Sequence, residues 1–210
     1  VLAISEAGGG NLAKRLATTH IGENGIGIAL LAAGGAISAV RAVLGGKADN
    51  AYALIRPPGH HAEPNEALGF CVFANAALAG KYAVETYGLD RIAFVDWDVH
   101  HGNGTETIFL DDPRAYTISI HQDNCFPPNS GGVDQIGIGD GIGTNLNIPL
   151  PPGSGEPVYL AAFDRIVKPA LELFKPQLII VPCGFDAGFH DPLGRMMLTS
   201  HSFRRLTARI

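Results

Sequence analysis

Four of the eight histidines in this 210-residue sequence form two adjacent pairs. One pair, His60-His61, follows the run RPPG, and the other, His100-His101, follows the run VDWDV. Histidine exchanges protons near neutral pH without a large pKa shift, and it is also the commonest metal ligand. The two pairs therefore indicate acid–base chemistry, metal binding, or both.

The segment 95–104, VDWDVHHGNG, places Asp96, Asp98 and His100 two residues apart. On an extended chain this spacing puts all three side chains on one face, so Asp98 and His100 can converge on one cation. Asp186, at the end of a later apolar run, reaches the same sheet edge. Two carboxylates and one imidazole leave a coordination position open, as in catalytic zinc sites. The alternative is that Asp98 and His100 are polar caps of a strand, or that the histidine is hydrogen-bonded within the core.

The second histidine pair stands in RPPGHHAEP, residues 56–64, where a rigid Pro-Pro-Gly turn orients two imidazoles. Metal-assisted amide hydrolysis needs a group that takes a proton from water and then protonates the leaving amine. A buried carboxylate beside such a histidine would select its tautomer. The alternatives for His60 and His61 are two further metal ligands, or one buried and one surface histidine.

Two aromatic residues, Phe70 in ALGFCVF and Phe126 in QDNCFPPNSGG, stand where they could line a pocket. Leu193, just after Asp-Pro, is a third candidate for a pocket wall. The alternative for each of the three is ordinary packing in the core.

The elements that must position these residues alternate between strand and helix. The pattern predicts strands at 51–55, 91–99, 115–121, 145–150 and 177–186, and helices at 26–44, 71–87, 105–110, 157–174 (with a kink or an early end at Pro169) and from 200 onward. Nearly continuous apolar strands alternating with helices predict an α/β fold with a parallel central sheet and helices on both faces. Ligands of such sheets bind beyond the carboxyl ends of the strands. One domain over residues 1–210 is the simplest organisation.

The composition excludes several other classes of protein. The 27 glycines and 14 prolines, without low complexity, predict many ordered turns and argue against a helical bundle, a coiled coil and a disordered chain. Only 17% of residues are charged and the net charge is −5, so the chain has no broad basic surface for nucleic acid.

The three cysteines, Cys71, Cys125 and Cys183, are odd in number and have no CxxC spacing. They are typical of reduced thiols in a cytoplasmic compartment, where they act as small buried apolar residues. None has the surroundings of a nucleophile.

No membrane span is predicted. Residues 26–46 come nearest to one, but Gly34, Gly35 and Arg41 interrupt that apolar run.

Five longer motifs resemble the histone deacetylase family: RPPGHHAEPNEALGFC, VDWDVHHGNGTE, SIHQDNCFPP, IPLPPGSG and CGFDAGFHDPLGRMMLTSHSFR. They stand in the family's order and cover about residues 50–210. The resemblance is greatest to the bacterial class II members called histone deacetylase-like amidohydrolases. It implies a single-domain arginase/deacetylase fold and zinc-dependent removal of acetyl groups from amines.

The resemblance also implies a role for each candidate residue. Asp98, His100 and Asp186 match the zinc ligands. His60 and His61 match the tandem histidines that handle protons, the second being the general base. Asp96 matches the carboxylate partner of the first histidine, and Asn103 stands where class I members carry an aspartate, which is a class II feature.

The resemblance further implies residues that bind the substrate and a second metal ion. Phe70 and Phe126 match the two aromatic walls of an acyl-lysine tunnel, and Leu193 matches a residue of its rim. The family's structural potassium near the zinc would be held, partly through backbone carbonyls, by Asp96, Asp98, His100, Ser119 and Ile120.

One departure concerns the tyrosine that polarises the substrate carbonyl in the family. It stands in a glycine-rich loop beyond the GFD strand, and none of the five tyrosines here (Tyr52, Tyr82, Tyr87, Tyr116 and Tyr159) has that context. The family's first strand is also missing or cut short at the N-terminus. We therefore expect a deacetylase domain truncated at both ends. If the tyrosine is truly absent, a zinc-bearing but non-catalytic module that binds acyl ligands becomes the alternative.

The expected substrate is an acetylated lysine side chain or a similar N-acetylated amine, and an acetylated polyamine or another small amide is the alternative. An arginase-like manganese enzyme would need a second convergent Asp/His set, which the sequence lacks. We expect no direct binding to nucleic acid or membrane. Association into a homo-oligomer stays open.

Overall fold

The computed structural model describes residues 2–13 and 19–210. Internal contacts divide the chain into two compact units: Val1–Asp90 with Asn103–Ile108 form the first unit, and Arg91–Gly102 with Phe109–Ile210 form the second.

The first unit is mainly helical. Its elements are α1 (Leu2–Glu6), β1 (Gly9–Asn11), β2 (His20–Gly22), α2 (Gly25–Leu44), α3 (Asn75–Tyr87) and α4 (Asn103–Phe109), of which residues 103–108 belong to this unit. β1 and β2 pair antiparallel. α2 packs against α3, and small side chains, mostly alanine, form much of the buried face of both helices. Small residues let two helix backbones approach closely.

Two predictions for the first unit are wrong. Residues 51–55 form no strand, because Tyr52 and Leu54 are exposed and the segment joins no ladder. The helix predicted to begin at residue 71 begins at Asn75 instead. Cys71 is held in a turn, where Leu68 and Cys71 exchange both backbone hydrogen bonds.

The glycines at 34 and 35 and Arg41 do not interrupt α2, which runs unbroken for 20 residues. Among the described residues it is the one helix long and apolar enough to cross a membrane, judged by length and composition alone. Core helices and signal sequences share these properties, so the observation is weak support for a span.

The second unit contains the predicted parallel sheet. Its strands β3 (Ile92–Asp96), β4 (Ala115–Gln122), β5 (Asn145–Leu150) and β6 (Leu178–Ile180) lie in the order β5-β4-β3-β6, and every neighbouring pair is parallel. The register sets Asp96 opposite Ser119. The predicted strands 91–99 and 177–186 end early, at Asp96 and Ile180, so the polar segments that follow both strands are irregular.

The helices of the second unit are α5 (Glu156–Ala162), α6 (Lys168–Phe174) and α7 (Ser200–Thr207). Alternate residues of β3 and β4, such as Val95 and Ile118, share a buried core with Tyr159 and other residues of these helices. Burial of this apolar face holds the carboxyl ends of the strands, where the polar residues begin, on a rigid base.

A π-helical turn, Phe163–Val167, joins α5 to α6 at the place where a kink or an early end at Pro169 was predicted. Proline has no N–H for the carbonyl four residues before it, and its ring crowds that carbonyl. The wider π turn therefore keeps 156–174 helical throughout.

Candidate functional site

Asp98, His100 and Asp186, here called the metal triad, come together in the second unit. One ligand atom from each lies within 4.8 Å of the others. Nδ1 of His100 is 3.0 Å from Oδ1 of Asp98 and 2.9 Å from Oδ2 of Asp186. Two residues that follow β3 thus meet one that follows β6, as expected at the carboxyl edge of neighbouring parallel strands.

The route by which Asp98 and His100 converge differs from the prediction. β3 ends at Asp96, so strand alternation does not orient the two side chains. Instead, the backbone N–H of Asp98 donates to Oδ1 of Asp96 over 3.0 Å, and the N–H of His100 donates to Oδ1 of Asp98 over 2.8 Å. Aspartate commonly stabilises bends by such local bonds. Asp96 and Asp98, two residues apart, therefore bend the chain directly after β3.

Asp186 is held by the backbone N–H of Val99, which donates to its Oδ1 over 2.8 Å. Gly184 lies against the triad, and a Cβ at that position would overlap Oδ2 of Asp98 and press on Oδ1 of Asp186. The glycine of the CGFD run therefore allows the two carboxylates to approach. Gly184 was not among the residues predicted from the sequence, although its place in a strand-end motif was the available signal.

The electrostatics of the triad favour a cation. Burial lowers the pKa of His100, but hydrogen bonds and charge from Asp186 and Asp98 outweigh that effect and raise the pKa to about 10. Burial raises the pKa of Asp186, and repulsion by Asp98 raises it further, against the hydrogen bonds from His100 and Val99. Protonated His100 supplies a positive charge to these two crowded carboxylates, and a bound metal ion would take the place of that proton.

The donor set fits a zinc ion. Two carboxylate oxygens and an imidazole nitrogen are ligands that catalytic zinc accepts with a position left open. Nε2 of His100 lies 3.3 Å from the carbonyl of Leu193, so this nitrogen can donate and leave the Nδ1 lone pair for a metal. A partner on the second ring nitrogen is the usual way in which a ligating histidine is oriented.

Phe126 and Leu193 both lie close to His100. The Phe126 ring meets the His100 ring edge-on at a centroid distance of 6.0 Å. The Leu193 side chain is 54% exposed, although its carbonyl faces His100. Both residues can therefore shape the approach to the triad.

The residues expected at a potassium site have varied surroundings. Asp96 is buried and lies opposite Ser119 in the β3–β4 register, and Ile120 is fully buried in the core of the second unit. The Ser119 hydroxyl oxygen accepts the N–H of Gly102 over 3.3 Å.

The histidine pair lies in the first unit with both imidazoles buried. The two rings are 3.9 Å apart, and the carbonyl of His60 accepts the N–H of Gly104 at the start of α4 over 2.9 Å. Nδ1 of His61 is 2.8 Å from Oδ1 of Asn103. Nδ2 of Asn103 donates to Oε1 of Glu63 over 2.7 Å, which orients the amide.

This orientation sets the tautomer of His61. Because the Asn103 oxygen can only accept, the proton of His61 sits on Nδ1, and Nε2 carries the lone pair that can take up a proton. Glu63 was not among the sequence candidates, but a carboxylate two residues after the pair was a usable signal.

Phe70 sits at the tip of a two-residue turn. Both Gly69 and Phe70 have positive φ, 52° and 66°, and the phenyl ring is 58% exposed. The Phe70 N–H donates to Oγ1 of Thr19 over 3.1 Å. A bulky residue rarely adopts this conformation, because it costs free energy locally. Other contacts of the folded chain must therefore offset the strain at Phe70.

Comparisons with known proteins agree with these motifs. A sequence model described as the histone deacetylase domain matches residues 5–210. The chain is 53% identical over 208 residues to a histone deacetylase-like amidohydrolase of Pseudomonas aeruginosa, covering 99% of this chain and 54% of that protein. It is 46% identical over 185 residues to the polyamine deacetylase HDAC10 of Rattus norvegicus, covering 85% of this chain and 31% of that protein.

A solved structure, the HD domain of HDA15, superimposes with a TM-score of 0.93 at 35% identity, over 99% of this chain and 60% of that one. The predicted arginase/deacetylase fold is thereby confirmed. The chain spans about half the length of the Pseudomonas relative and under a third of the length of the Rattus relative.

Proposed function

Because the chain belongs to the histone deacetylase family, we propose that it carries the metal-binding and proton-transfer residues of a zinc-dependent amidohydrolase. The reaction adds water across an amide and releases acetate and a free amine. The convergence of Asp98, His100 and Asp186 carries the proposal, since it brings one ligand atom from each residue within 4.8 Å of the others.

In this proposal Asp98, Asp186 and Nδ1 of His100 hold the zinc ion. Zinc, when bound, acts as a Lewis acid that polarises a carbonyl and makes water a stronger acid. The Leu193 carbonyl keeps the His100 ring oriented. Gly184 keeps the space that the two carboxylates need.

The histidine pair handles the protons. His61 holds its own proton on Nδ1 against Asn103, so Nε2 takes the proton from the attacking water. The same imidazole, or His60 beside it, then gives a proton to the departing amine. Asp96 is proposed as the carboxylate that supports the first histidine.

We propose that Phe70 and Phe126 are the two aromatic walls of a channel for a linear acyl chain, and that Leu193 lies at its rim. We also propose a structural potassium site formed by Asp96, Asp98, His100, Ser119 and Ile120, partly through carbonyl oxygens. Potassium prefers such oxygen ligands to nitrogen or sulfur.

Substitution of Asp186 tests the proposal in the intact enzyme. Asp186→Asn keeps the size of the side chain, removes its charge, and should weaken zinc binding by more than about 100-fold, beyond the loss caused by removing a residue that only orients a ligand. Hydrolysis of an acetyl-lysine peptide should fall with it. Asp140→Asn, an exposed aspartate of the same unit, is the matched control and should change neither. Tight zinc binding and normal turnover in Asp186→Asn would refute the proposal.

Acetylated polyamines are the second candidate substrates, because a polyamine deacetylase is among the relatives. A net charge of −5 is also compatible with a cationic substrate. Competition between an acetyl-lysine peptide and acetylspermidine, measured as the ratio of their kcat/KM values, decides between the two.

A further inference from the structure

Two histidines outside the triad, His101 and His121, are each only 2% exposed. They stand on different parts of the second unit, one after β3 and the other near the end of β4, and their rings lie 4.9 Å apart. Buried polar side chains are retained where their hydrogen bonds are satisfied. Their partners therefore indicate what these two residues do.

His101 binds the loop that carries Phe126 at two points. Its backbone N–H donates to the Phe126 carbonyl over 3.0 Å, and its Nδ1 is 3.1 Å from Oγ of Ser130. The Ser130 hydroxyl donates to the Pro127 carbonyl over 2.8 Å, so its oxygen must accept from Nδ1–H of His101. The direction of both bonds is thus determined.

His121 binds the same loop at a third point. Its Nε2 lies 3.1 Å from the Gly131 carbonyl, which can only accept, so the proton is on Nε2. Its Nδ1 then accepts from the Ser119 hydroxyl at 3.0 Å. Gly131 has φ of +76°, and a Cβ there would overlap the His121 ring. A glycine at this position allows the loop to lie directly on the imidazole.

We propose that His101 and His121 are positioning residues that hold Phe126 edge-on to His100 and so fix the wall that this ring forms beside the metal triad. That an acyl substrate passes Phe126 rests on the proposed function. The hydrogen bonds that hold the loop of Phe126 do not depend on it. Neither histidine touches the reacting atoms in this scheme. They act through the loop 126–131, which they contact at three points.

Ser130→Ala is the test variant, because it breaks the link between His101 and the loop and leaves both buried rings in place. In the intact, zinc-loaded enzyme we expect KM for an acetyl-lysine peptide to rise about fivefold, the factor that one hydrogen bond of ordinary strength represents. kcat should stay within about twofold, the usual error of such comparisons. Zinc affinity should be unchanged.

Two matched variants control for nonspecific effects. Ser154 makes the same kind of turn, donating its hydroxyl to the Pro151 carbonyl over 2.7 Å without a bond to either histidine, so Ser154→Ala should leave KM unchanged. Ser130→Thr keeps a hydroxyl and should retain the wild-type KM. An unchanged KM in Ser130→Ala, or an equal rise in Ser154→Ala, would overturn the proposal.

A double-mutant cycle separates positioning from general loss of packing. If Ser130 acts through Phe126, Ser130→Ala should have no further effect on KM in a Phe126→Ala background. Additive effects would contradict the proposal.

A readout independent of activity keeps this inference separate from the proposed function. We would place 4-fluorophenylalanine at position 126 and record its 19F resonance in wild type, Ser130→Ala and Ser154→Ala. A shifted or broadened signal in Ser130→Ala alone supports the positioning role even if the protein hydrolyses no amide. Identical signals in all three would refute it even in an active deacetylase.

Discussion

Oδ1 of Asn103 accepts a hydrogen bond from Nδ1 of His61 over 2.8 Å, while the other end of the same amide donates to Glu63. The two ends of asparagine have opposite hydrogen-bonding character, and this position uses both. An aspartate has two acceptor oxygens and no donor at neutral pH. Asparagine is therefore needed at position 103 both to accept from His61 and to donate to Glu63.

Asn103→Asp should lower the free energy of unfolding by about 1–3 kcal/mol, the cost of leaving a buried polar group without its partner. Two carboxylates would then face each other in a partly buried place. Adding Glu63→Gln supplies a donor to the new aspartate, so the double variant should recover most of the loss. Urea denaturation measures both changes. A single variant as stable as wild type would contradict this interpretation of Asn103.

Gly184→Ala should weaken zinc binding by about tenfold or more, as expected when the orientation of metal ligands is disturbed. The added Cβ would overlap Oδ2 of Asp98 and push the two carboxylates apart. Zinc titration against a competing chelator gives the affinity. Gly34→Ala is the matched control: nothing lies within 4 Å of a Cβ on this exposed residue of α2. That change should leave zinc binding intact and stabilise the helix by about 0.5–1 kcal/mol.

Phe70→Gly and Phe70→Ala should both lower kcat/KM for an acyl-lysine peptide, since both remove a proposed channel wall. Their stabilities should differ in an unusual order. At a φ of 66° alanine keeps the strain of a Cβ and glycine does not, so the glycine variant should be more stable by about 1 kcal/mol. Thermal and urea unfolding of the pair measure the difference. A more stable alanine variant would show that the turn relaxes.

The thiol of Cys183 should remain protonated at pH values where a free cysteine has become a thiolate. Burial raises its pKa above the ordinary 9.0, and the charges of Asp96 and Asp98 add to the effect. Nε1–H of Trp97 donates to the sulfur over 3.2 Å and opposes that rise, because it stabilises the thiolate. We expect the rate of alkylation at Cys183 in chelator-treated protein to keep rising above pH 9.

Trp97→Phe removes that N–H and should move the alkylation midpoint of Cys183 to still higher pH. Mass spectrometry of the Cys183 peptide follows the rate, with a free cysteine peptide as the reference. A midpoint at or below that of the free peptide would show that the sulfur is not held as described.

Much of the fold and of the candidate site was predictable from the sequence. The segments 115–121 and 145–150 predict strands that the structure places within one residue, because β-branched and other apolar residues recur in both between turn residues. The types of Asp98, His100 and Asp186 indicate the metal chemistry, since few other residue types can hold a divalent cation. Both features depend on composition along a short stretch.

Tertiary structure alone decided which segments pair into the sheet and which groups face each other. Residues 51–55 have strand-like composition but no strand pairs with them, because pairing depends on what lies alongside. The orientation of the Asn103 amide depends on Glu63, forty positions away. The position of Phe126 depends on hydrogen bonds from His101 and His121 to the same loop. Hydrogen bonds are directional and short, so which donor meets which acceptor is settled only when distant segments pack.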